Sequence, residues 1–298
     1  MNKLEEAIIY ATVMHQGKVR KLVNTPFILH PLEVAQILSM MTSDEDIITA
    51  GILHDIVEDT DGTLTEIEKR FGERVAFLVS SELDAETISA CIARDPGQVE
   101  AYAKLMAELA HTIHEVEVSP EDGFPSAMER IGDYIEGGIG REDRGLADRC
   151  MALLNALPET GTMLHGDFHT GNVFLQRGEP LLIDMDRLAT GHPILEISDL
   201  YYFYVLLGED EPGVIERFMG FSCDTARAFF RSFLKHYIGT GDEMRLNEIS
   251  EKASLIGYSR LIRKIRKQRK PADADHRLVQ RCVERIADLT DRLDTLAF

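Results

Sequence analysis

Strand-like sequence occupies one short stretch of this 298-residue chain, and that restriction limits the folds the chain can adopt. Strand signals occur at 162–164, 172–175 and 180–183, the last two around a Gly-Glu turn. Apolar residues elsewhere recur mostly at helical spacing, as in the segments 3–15, 31–41, 44–57 and 98–114. The predicted fold class is therefore mainly α (α+β), with a small β hairpin inside a helical body.

Composition and charge exclude several classes of protein. Hydrophobic residues make up 44% and charged residues 28%, which is typical of a globular chain. The 51 acidic and 32 basic side chains give a net charge of −19, which argues against a nucleic-acid or anionic-membrane partner. The four cysteines are far apart in sequence, so reduced thiols and a cytoplasmic location are predicted. No apolar run is long enough to span a bilayer.

A first group of histidines and carboxylates lies near the N-terminus. His54 and Asp55 are adjacent and can ligate one divalent ion, while Glu58 and Asp59 follow one helical turn later and can act on a water. His30 precedes a proline at a predicted helix start, where its imidazole can point at the same centre. This ligand set suits Mn, Fe or Zn. The alternative is a half-buried histidine beside a solvated acidic face.

Several motifs around these residues, in order, resemble the hydrolase (HD) domain of the bifunctional alarmone enzymes, which remove the 3′-pyrophosphate of (p)ppGpp. The motifs lie at 15–21, 26–31, 50–60 and 71–76. The resemblance implies that Mn²⁺ or a similar divalent metal is held by His30, His54 and Asp55. It also implies that Glu58 and Asp59 handle the water and that Arg20 and Lys21 face the nucleotide or its phosphates.

This resemblance covers residues 3–82, about half the length of the family domain. The family takes a fourth ligand from an aspartate in an Ala-Asp-Lys-like helix, and the nearest equivalent here is Asp148, far along the chain. A truncated HD-like domain is therefore predicted at 1–83.

A second group of polar residues follows the strand-like segments. A loop carries Asp167, an amide follows at Asn172, and the hairpin delivers Asp184. Phosphoryl transfer needs a carboxylate that accepts the proton of the attacking hydroxyl. It also needs amide and carboxylate oxygens that hold Mg²⁺ on the nucleotide phosphates.

The pattern from His165 to Asp199 resembles the aminoglycoside phosphotransferase and choline kinase superfamily. It implies a protein-kinase-like C-lobe in which Asp167 is the catalytic base and Asn172 and Asp184 bind Mg²⁺ with ATP or GTP. It also implies that His165 and Asp199 brace the catalytic loop.

This second resemblance covers about 84–298 and lacks the usual N-lobe, because the chain contains neither GxGxxG nor Val-Ala-x-Lys. The leading hypothesis is a phosphotransferase that acts on a small-molecule hydroxyl. One alternative is a metal-dependent pyrophosphohydrolase of (p)ppGpp or a related nucleotide, acting through residues 1–83. Another is a non-catalytic fusion that binds nucleotides or a partner. Apolar core exposed at the truncated edges also predicts a homodimer.

Seven basic residues lie between 260 and 270. They can form a solvated helix face that offsets an acidic protein, or they can bind an anionic phosphorylated substrate. The aromatic cluster at 201–204 has the spacing of core helix residues, which favours packing over substrate stacking.

Overall fold

The computed structural model describes residues 2–19, 25–80, 85–176, 178–210, 213–267 and 273–298. The chain divides into two compact units, Met1–Asp84 and Ala85–Phe298. The described part is mainly helical with a few short strands, so the predicted mainly α class is confirmed. No described helix is both long enough and apolar enough to cross a membrane.

The first unit is built around one buried helix. Its described helices are α1 (Lys3–Met14), α2 (Leu29–Met41), α3 (Glu45–Leu53), α4 (Ile56–Asp59), α5 (Leu64–Phe71) and α6 (Glu73–Ser80). Helices α1, α2 and α6 pack against α3, whose residues 48–53 are all buried. The end of α3 is therefore fixed from several sides, and His54 follows it directly.

Local capping explains where several of these helices begin and end. Asn2 and Thr63 each form a capping box, in which the cap side chain and the glutamate three residues later satisfy each other's backbone N–H groups. The box predicted at Thr63 and Glu66 is therefore confirmed. Gly72 ends α5 with a φ of 97°, a conformation that favours glycine.

The single helix predicted over 44–57 is wrong. The chain leaves helical hydrogen bonding after Leu53 and resumes it at Ile56, so His54 and Asp55 lie in a turn between α3 and α4. The Nδ1 of His54 lies 2.9 Å from the carbonyl oxygen of Gly51. The ring thus gives the Gly51 carbonyl oxygen a hydrogen-bond partner, which stabilises the end of α3 at this position.

The second unit combines helices with two small sheets. Its described strands are β1 (Ala85–Thr87), β2 (Met163–Leu164), β3 (Val173–Gln176), β4 (Glu179–Leu182) and β5 (Ala189–Thr190). Its described helices are α7 (Ile88–Arg94), α8 (Val99–His114), α9 (Ala127–Gly137), α10 (Arg144–Asn155), α11 (Ile194–Tyr201), α12 (Leu207–Asp210), α13 (Val214–Met219), α14 (Cys223–Ile238), α15 (Glu243–Arg266) and α16 (Asp273–Arg292). Helix α8 packs on α14, and α15 packs on both α11 and α16.

All pairings in the two sheets are antiparallel. One sheet has the order β1-β3-β4, and the other pairs β2 with β5. The β3–β4 hairpin pairs Gln176 with Glu179 and Val173 with Leu182, so the predicted hairpin is confirmed. Strands β1 and β5 were not predicted, because two or three residues are too few to show a period.

Aromatic residues after α11 belong to the core. A π-helical turn, Tyr202–Leu206, joins α11 to α12, and Tyr202, Phe203 and Tyr204 are buried. The hydroxyl of Tyr204 accepts a hydrogen bond from the backbone N–H of Thr170 at 2.8 Å. Core packing is thus confirmed for this cluster, and it also fixes the loop after β2.

Candidate functional site

Three predicted ligand side chains meet at the junction of α3 and α4. The Nε2 of His54 lies 2.9 Å from one carboxylate oxygen of Asp55, and the Nε2 of His30 lies 3.6 Å from the other. Among the described residues, this is the one group of three or more His, Cys, Asp or Glu side chains whose ligand atoms all lie within 4.8 Å of one another. The structure therefore brings His30, His54 and Asp55 together.

The donor set fits a divalent transition metal. Ligands about 2.0–2.2 Å from one ion, at angles between 90° and 110°, lie about 3–3.5 Å apart. The two spacings around Asp55, 2.9 Å and 3.6 Å, lie within about 0.1 Å of the ends of that range. Its Oδ2 is also buried and has no hydrogen-bond partner within the described residues. A buried carboxylate oxygen without a donor is costly, and a bound cation would relieve that cost.

Electrostatics favour the ionised form of Asp55 that a metal needs, but they also favour the protonated form of His54. Burial would raise the pKa of Asp55, but the neighbouring imidazoles of His54, His30 and His15 outweigh burial and lower it. Burial would lower the pKa of His54, but the hydrogen bond and charge of Asp55 outweigh it and raise that pKa. Because Nδ1 of His54 faces the Gly51 carbonyl, Nε2 is the nitrogen available to a metal, in competition with a proton.

His15 is a neighbour that sequence reasoning did not place at this site. It is buried, and both ring nitrogens lack hydrogen-bond partners in the described part of the chain. Its ring lies 4.8 Å from Phe27, whose ring lies 6.1 Å from His30. Burial lowers the pKa of His15, and its ring packs against Phe27 beside the ligand residues.

The remaining predicted residues of this unit fall into three groups. Glu58 and Asp59 are exposed on α4, and the charge of Glu58 acts on His54. Arg20 and Lys21 lie outside the described residues. Asp148 lies on α10 of the other unit, where its carboxylate pairs with Arg144 at 2.7 Å.

In the second unit, one loop brings together the predicted phosphoryl-transfer residues. The side-chain amide of Asn172 donates to the backbone carbonyl of Asp167 at 2.9 Å. The backbone N–H of Ile183 donates to the carbonyl of Asn172 at 3.0 Å, which places Asp184 next to the loop. These bonds connect the Asn172 amide to the backbone of Asp167 and connect the backbone of Asn172 to the residue before Asp184.

Asp184 has an unusual backbone. Its φ of 63° makes it the one described non-glycine residue in the left-handed region. Such a conformation costs of order 1 kcal/mol or more and persists only where the surroundings impose it. The surroundings therefore impose a left-handed backbone on Asp184 directly after β4, where its side chain is exposed.

A buried network holds the loop from behind. The Nε2 of His165 lies 3.0 Å from the carbonyl oxygen of Ile183. The backbone N–H of Gly166 donates to the carboxylate of Glu196 at 2.7 Å, and the other Glu196 oxygen lies 2.9 Å from Nε2 of His114. Glu196 is only 1% exposed, so these bonds form away from water.

Asp199 supports the loop through arginines. Its carboxylate pairs with Arg260 at 2.5 Å and with Arg130 at 3.1 Å, and its side chain is 3% exposed. Arg130 in turn donates to the carbonyl of Gly166. Gly166 has a φ of 80°, and a Cβ there would collide with the carbonyl oxygen of Arg187. Charge and steric fit together therefore fix the loop conformation.

Sequence reasoning missed Arg130, Glu196, His114 and Arg260 as supports of this loop. They come from α8, α9, α11 and α15, and no motif spacing connects them. The available signal was weak: Glu196 and Asp199 are two acids in a helix that is otherwise almost entirely apolar.

Residues 7–118 match the sequence model of the HD domain family. The match extends past the boundary between the units at 84 and 85. The chain is also 36% identical over 121 residues to a GTP pyrophosphokinase of Myxococcus xanthus, which is 40% of this chain and 16% of the relative. It is 39% identical over 108 residues to a guanosine-3′,5′-bis(diphosphate) 3′-pyrophosphohydrolase of Aquifex aeolicus, which is 36% of this chain and 15% of that relative.

A third relative is the bifunctional (p)ppGpp synthase/hydrolase SpoT of Escherichia coli, 40% identical over 86 residues, which is 28% of this chain and 12% of that relative. The chain thus spans less than a fifth of the length of these curated relatives. The N-terminal part of the chain carries an HD domain similar to those of enzymes named for (p)ppGpp synthesis and hydrolysis.

Proposed function

We propose that the first unit is a metal-dependent pyrophosphohydrolase of (p)ppGpp or a related nucleotide. The observation that carries this proposal is the convergence of His30, His54 and Asp55, with a buried carboxylate oxygen that has no donor among the described residues. The names of the HD-containing relatives support the substrate class. From the sequence alone, this function is the alternative to the leading phosphotransferase hypothesis, and the comparisons favour it over that hypothesis.

In this proposal His30, His54 and Asp55 hold the ion. A divalent metal there would supply Lewis acidity that lowers the pKa of a water and neutralises phosphate charge. Glu58 or Asp59 accepts the proton as the water oxygen attacks phosphorus. The bond from that phosphorus to the 3′-oxygen of the nucleotide breaks, and pyrophosphate leaves. Arg20 and Lys21 would face the phosphates, which stays a prediction.

The direct test is Mn²⁺-dependent release of pyrophosphate from ppGpp by the full chain. Asp55→Ala is expected to lower the rate at least about a hundredfold, because it removes a metal ligand. Asp61→Ala is the matched control, since Asp61 is an exposed acid just after α4. Absence of release by the wild type contradicts the proposal.

A second function is supported by a different observation, the linked arrangement of Asp167, Asn172 and Asp184. We infer that the second unit is a kinase-like phosphotransferase in which Asp167 takes the proton of a substrate hydroxyl. Asn172 and Asp184 would hold Mg²⁺ with ATP or GTP, and the ion would neutralise phosphate charge. His165 and Asp199 would position the loop.

Calorimetry with Mg-ATP and Mg-GTP tests this second function. Asp184→Ala is expected to weaken nucleotide binding, whereas Asp167→Ala is expected to keep binding and lose phosphoryl transfer. Asp55→Ala is the control, because it removes the other site only. If the wild type binds neither nucleotide, the phosphotransferase proposal fails.

The homodimer also remains a prediction. Ile9, Val13 and Phe77 of the first unit are each more than half exposed. Light scattering of the purified chain is expected to give twice the mass of one chain, and a monomer would contradict it.

A further inference from the structure

A pocket of about 300 Å³ in the second unit has a strongly basic wall. Five cationic side chains line it: Arg187, Arg260, Arg263, Lys264 and Lys267. The rings of Tyr134 and Tyr202 complete the lining. The size is that of a small-molecule site, and cations in a concave surface are typical of sites for anions.

Acidic side chains contact several of these cations. Arg260 is paired with Asp199, which it shares with Arg130. Arg263 is 3.5 Å from Asp133, an exposed carboxylate that is well solvated. In a chain of net charge −19, this concentration of positive charge stands out from the rest of the protein. It would attract small anions by focusing the local field.

Aromatic rings hold two of the guanidinium groups in place. The guanidinium of Arg260 lies 4.3 Å from the ring centre of Tyr202 and 4.7 Å from that of Phe203. The guanidinium of Arg263 lies 5.3 Å from the ring centre of Tyr134. Stacking of this kind fixes the planar fork that recognises phosphate oxygens, so less side-chain entropy is lost on binding.

Arg187 connects the pocket to the loop of Asp167. It lines the pocket, and its Nη1 lies 4.0 Å from the carboxylate of Asp167. An anion in the pocket would therefore sit within one side-chain length of the group that could accept a proton. Some of the basic residues between 260 and 270 thus line this pocket, and others belong to a solvated face.

We propose that this pocket binds the phosphate group of a small phosphorylated molecule, and that a hydroxyl of the same molecule is the phosphoryl acceptor at Asp167. In the transfer, the hydroxyl oxygen bonds to the γ-phosphorus of a nucleoside triphosphate and the bond to its bridging oxygen breaks. The hydroxyl proton goes to Asp167, and a nucleoside diphosphate leaves. The acceptor assignment rests on the proposed phosphotransferase function, whereas phosphate binding in the pocket does not.

The test uses the full chain and calorimetry with ribose 5-phosphate, ribose, inorganic phosphate and a single-stranded RNA. The pocket variant combines Arg263→Gln, Lys264→Gln and Lys267→Gln, and it leaves Arg260 to hold Asp199. The control variant combines Arg277→Gln, Arg281→Gln and Arg285→Gln, which removes the same charge from exposed positions of α16. Circular dichroism checks that both variants fold.

The wild type and the control variant are expected to bind ribose 5-phosphate with similar affinity and to bind ribose at least about tenfold more weakly, because ribose makes no charge-assisted hydrogen bonds. The pocket variant is expected to lose at least about tenfold in affinity for ribose 5-phosphate. Three results would overturn the proposal: no binding of either phosphate probe, equal losses in both variants, or tighter binding of a single-stranded RNA than of ribose 5-phosphate.

A second readout separates this proposal from the phosphotransferase function. If ribose 5-phosphate binds in the pocket but Mg-ATP and Mg-GTP do not bind the chain, the phosphotransferase fails and the anion site stands. If the nucleotides bind and the pocket variant keeps full affinity for ribose 5-phosphate, the anion site fails and the phosphotransferase stands.

Discussion

The two candidate sites differ in how far along the chain their parts lie. The candidate metal site of the first unit takes His30 from the start of α2 and His54 and Asp55 from the turn after α3. The loop of the second unit is held by residues from α8, α9, α11 and α15. A local site can be recognised from spacing, whereas a site supported by distant buried charges depends on the whole unit being folded.

This difference predicts different consequences of mutation. In the first unit one carboxylate oxygen of Asp55 has no hydrogen-bond partner among the described residues, so under the proposed function substitution should remove metal binding more than stability. In the second unit the polar groups already pair with one another, so substitution should remove stability first. Substitutions in each unit test that contrast, and hydrogen exchange of peptides shows which unit each substitution destabilises.

Asp199→Ala should produce the largest loss of folding stability. It leaves Arg130 and Arg260 without their shared buried carboxylate, which should lower the free energy of unfolding by about 3–5 kcal/mol. Urea unfolding measures the loss, and exchange should accelerate at 163–172. Asp133→Ala removes an exposed partner of Arg263 and should cost less than about 1 kcal/mol. Equal effects of the two variants would contradict the contrast.

Removal of a bound metal should lower the stability of the first unit. Mn²⁺ at about a hundred times its dissociation constant should stabilise the folded chain by about 2.7 kcal/mol, and chelation should reverse this. The gain should disappear in Asp55→Asn and persist in Asp61→Asn. Thermal unfolding with and without chelator measures it. A wild type that Mn²⁺ does not stabilise would show that the cluster is not a metal centre.

Gly166→Ala tests the loop backbone. The positive φ and the collision with the Arg187 carbonyl should lower the free energy of unfolding by about 2 kcal/mol. At Gly145 on α10 an added Cβ meets only Oδ1 of Asp143 at 3.5 Å, an ordinary van der Waals contact, so Gly145→Ala should be neutral or stabilising by up to about 1 kcal/mol. If both substitutions are neutral in urea unfolding, the loop is not sterically fixed.

Thr63→Ala should produce the smallest effect. Loss of the capping box at the start of α5 should cost about 1 kcal/mol. Thr65→Ala, at an exposed position inside the same helix, should cost nothing, because alanine is the better helix former. Exchange should accelerate in α5 of the first variant only, and a change in the second unit would be inconsistent with a local cap.

Much of the fold was predictable because helical periodicity and caps are local. Thr63 and Glu66 signal the start of α5 within four residues, and the β3–β4 hairpin follows from two strand segments around a Gly-Glu turn. The turn at His54 and Asp55 was not predictable, since apolar periodicity continues through it. A side-chain contact with the Gly51 carbonyl supports the break.

The sequence by itself determined the helical class, the hairpin, and the residues that could act at two separate sites. The tertiary structure decided which polar groups support them, such as Glu196 on Gly166 and Arg130 on Asp199. It also placed several of the basic residues between 260 and 270 in the wall of one pocket. The physical reason is that periodicity and capping act between residues a few positions apart. Buried charges, by contrast, find their partners only when distant helices pack together.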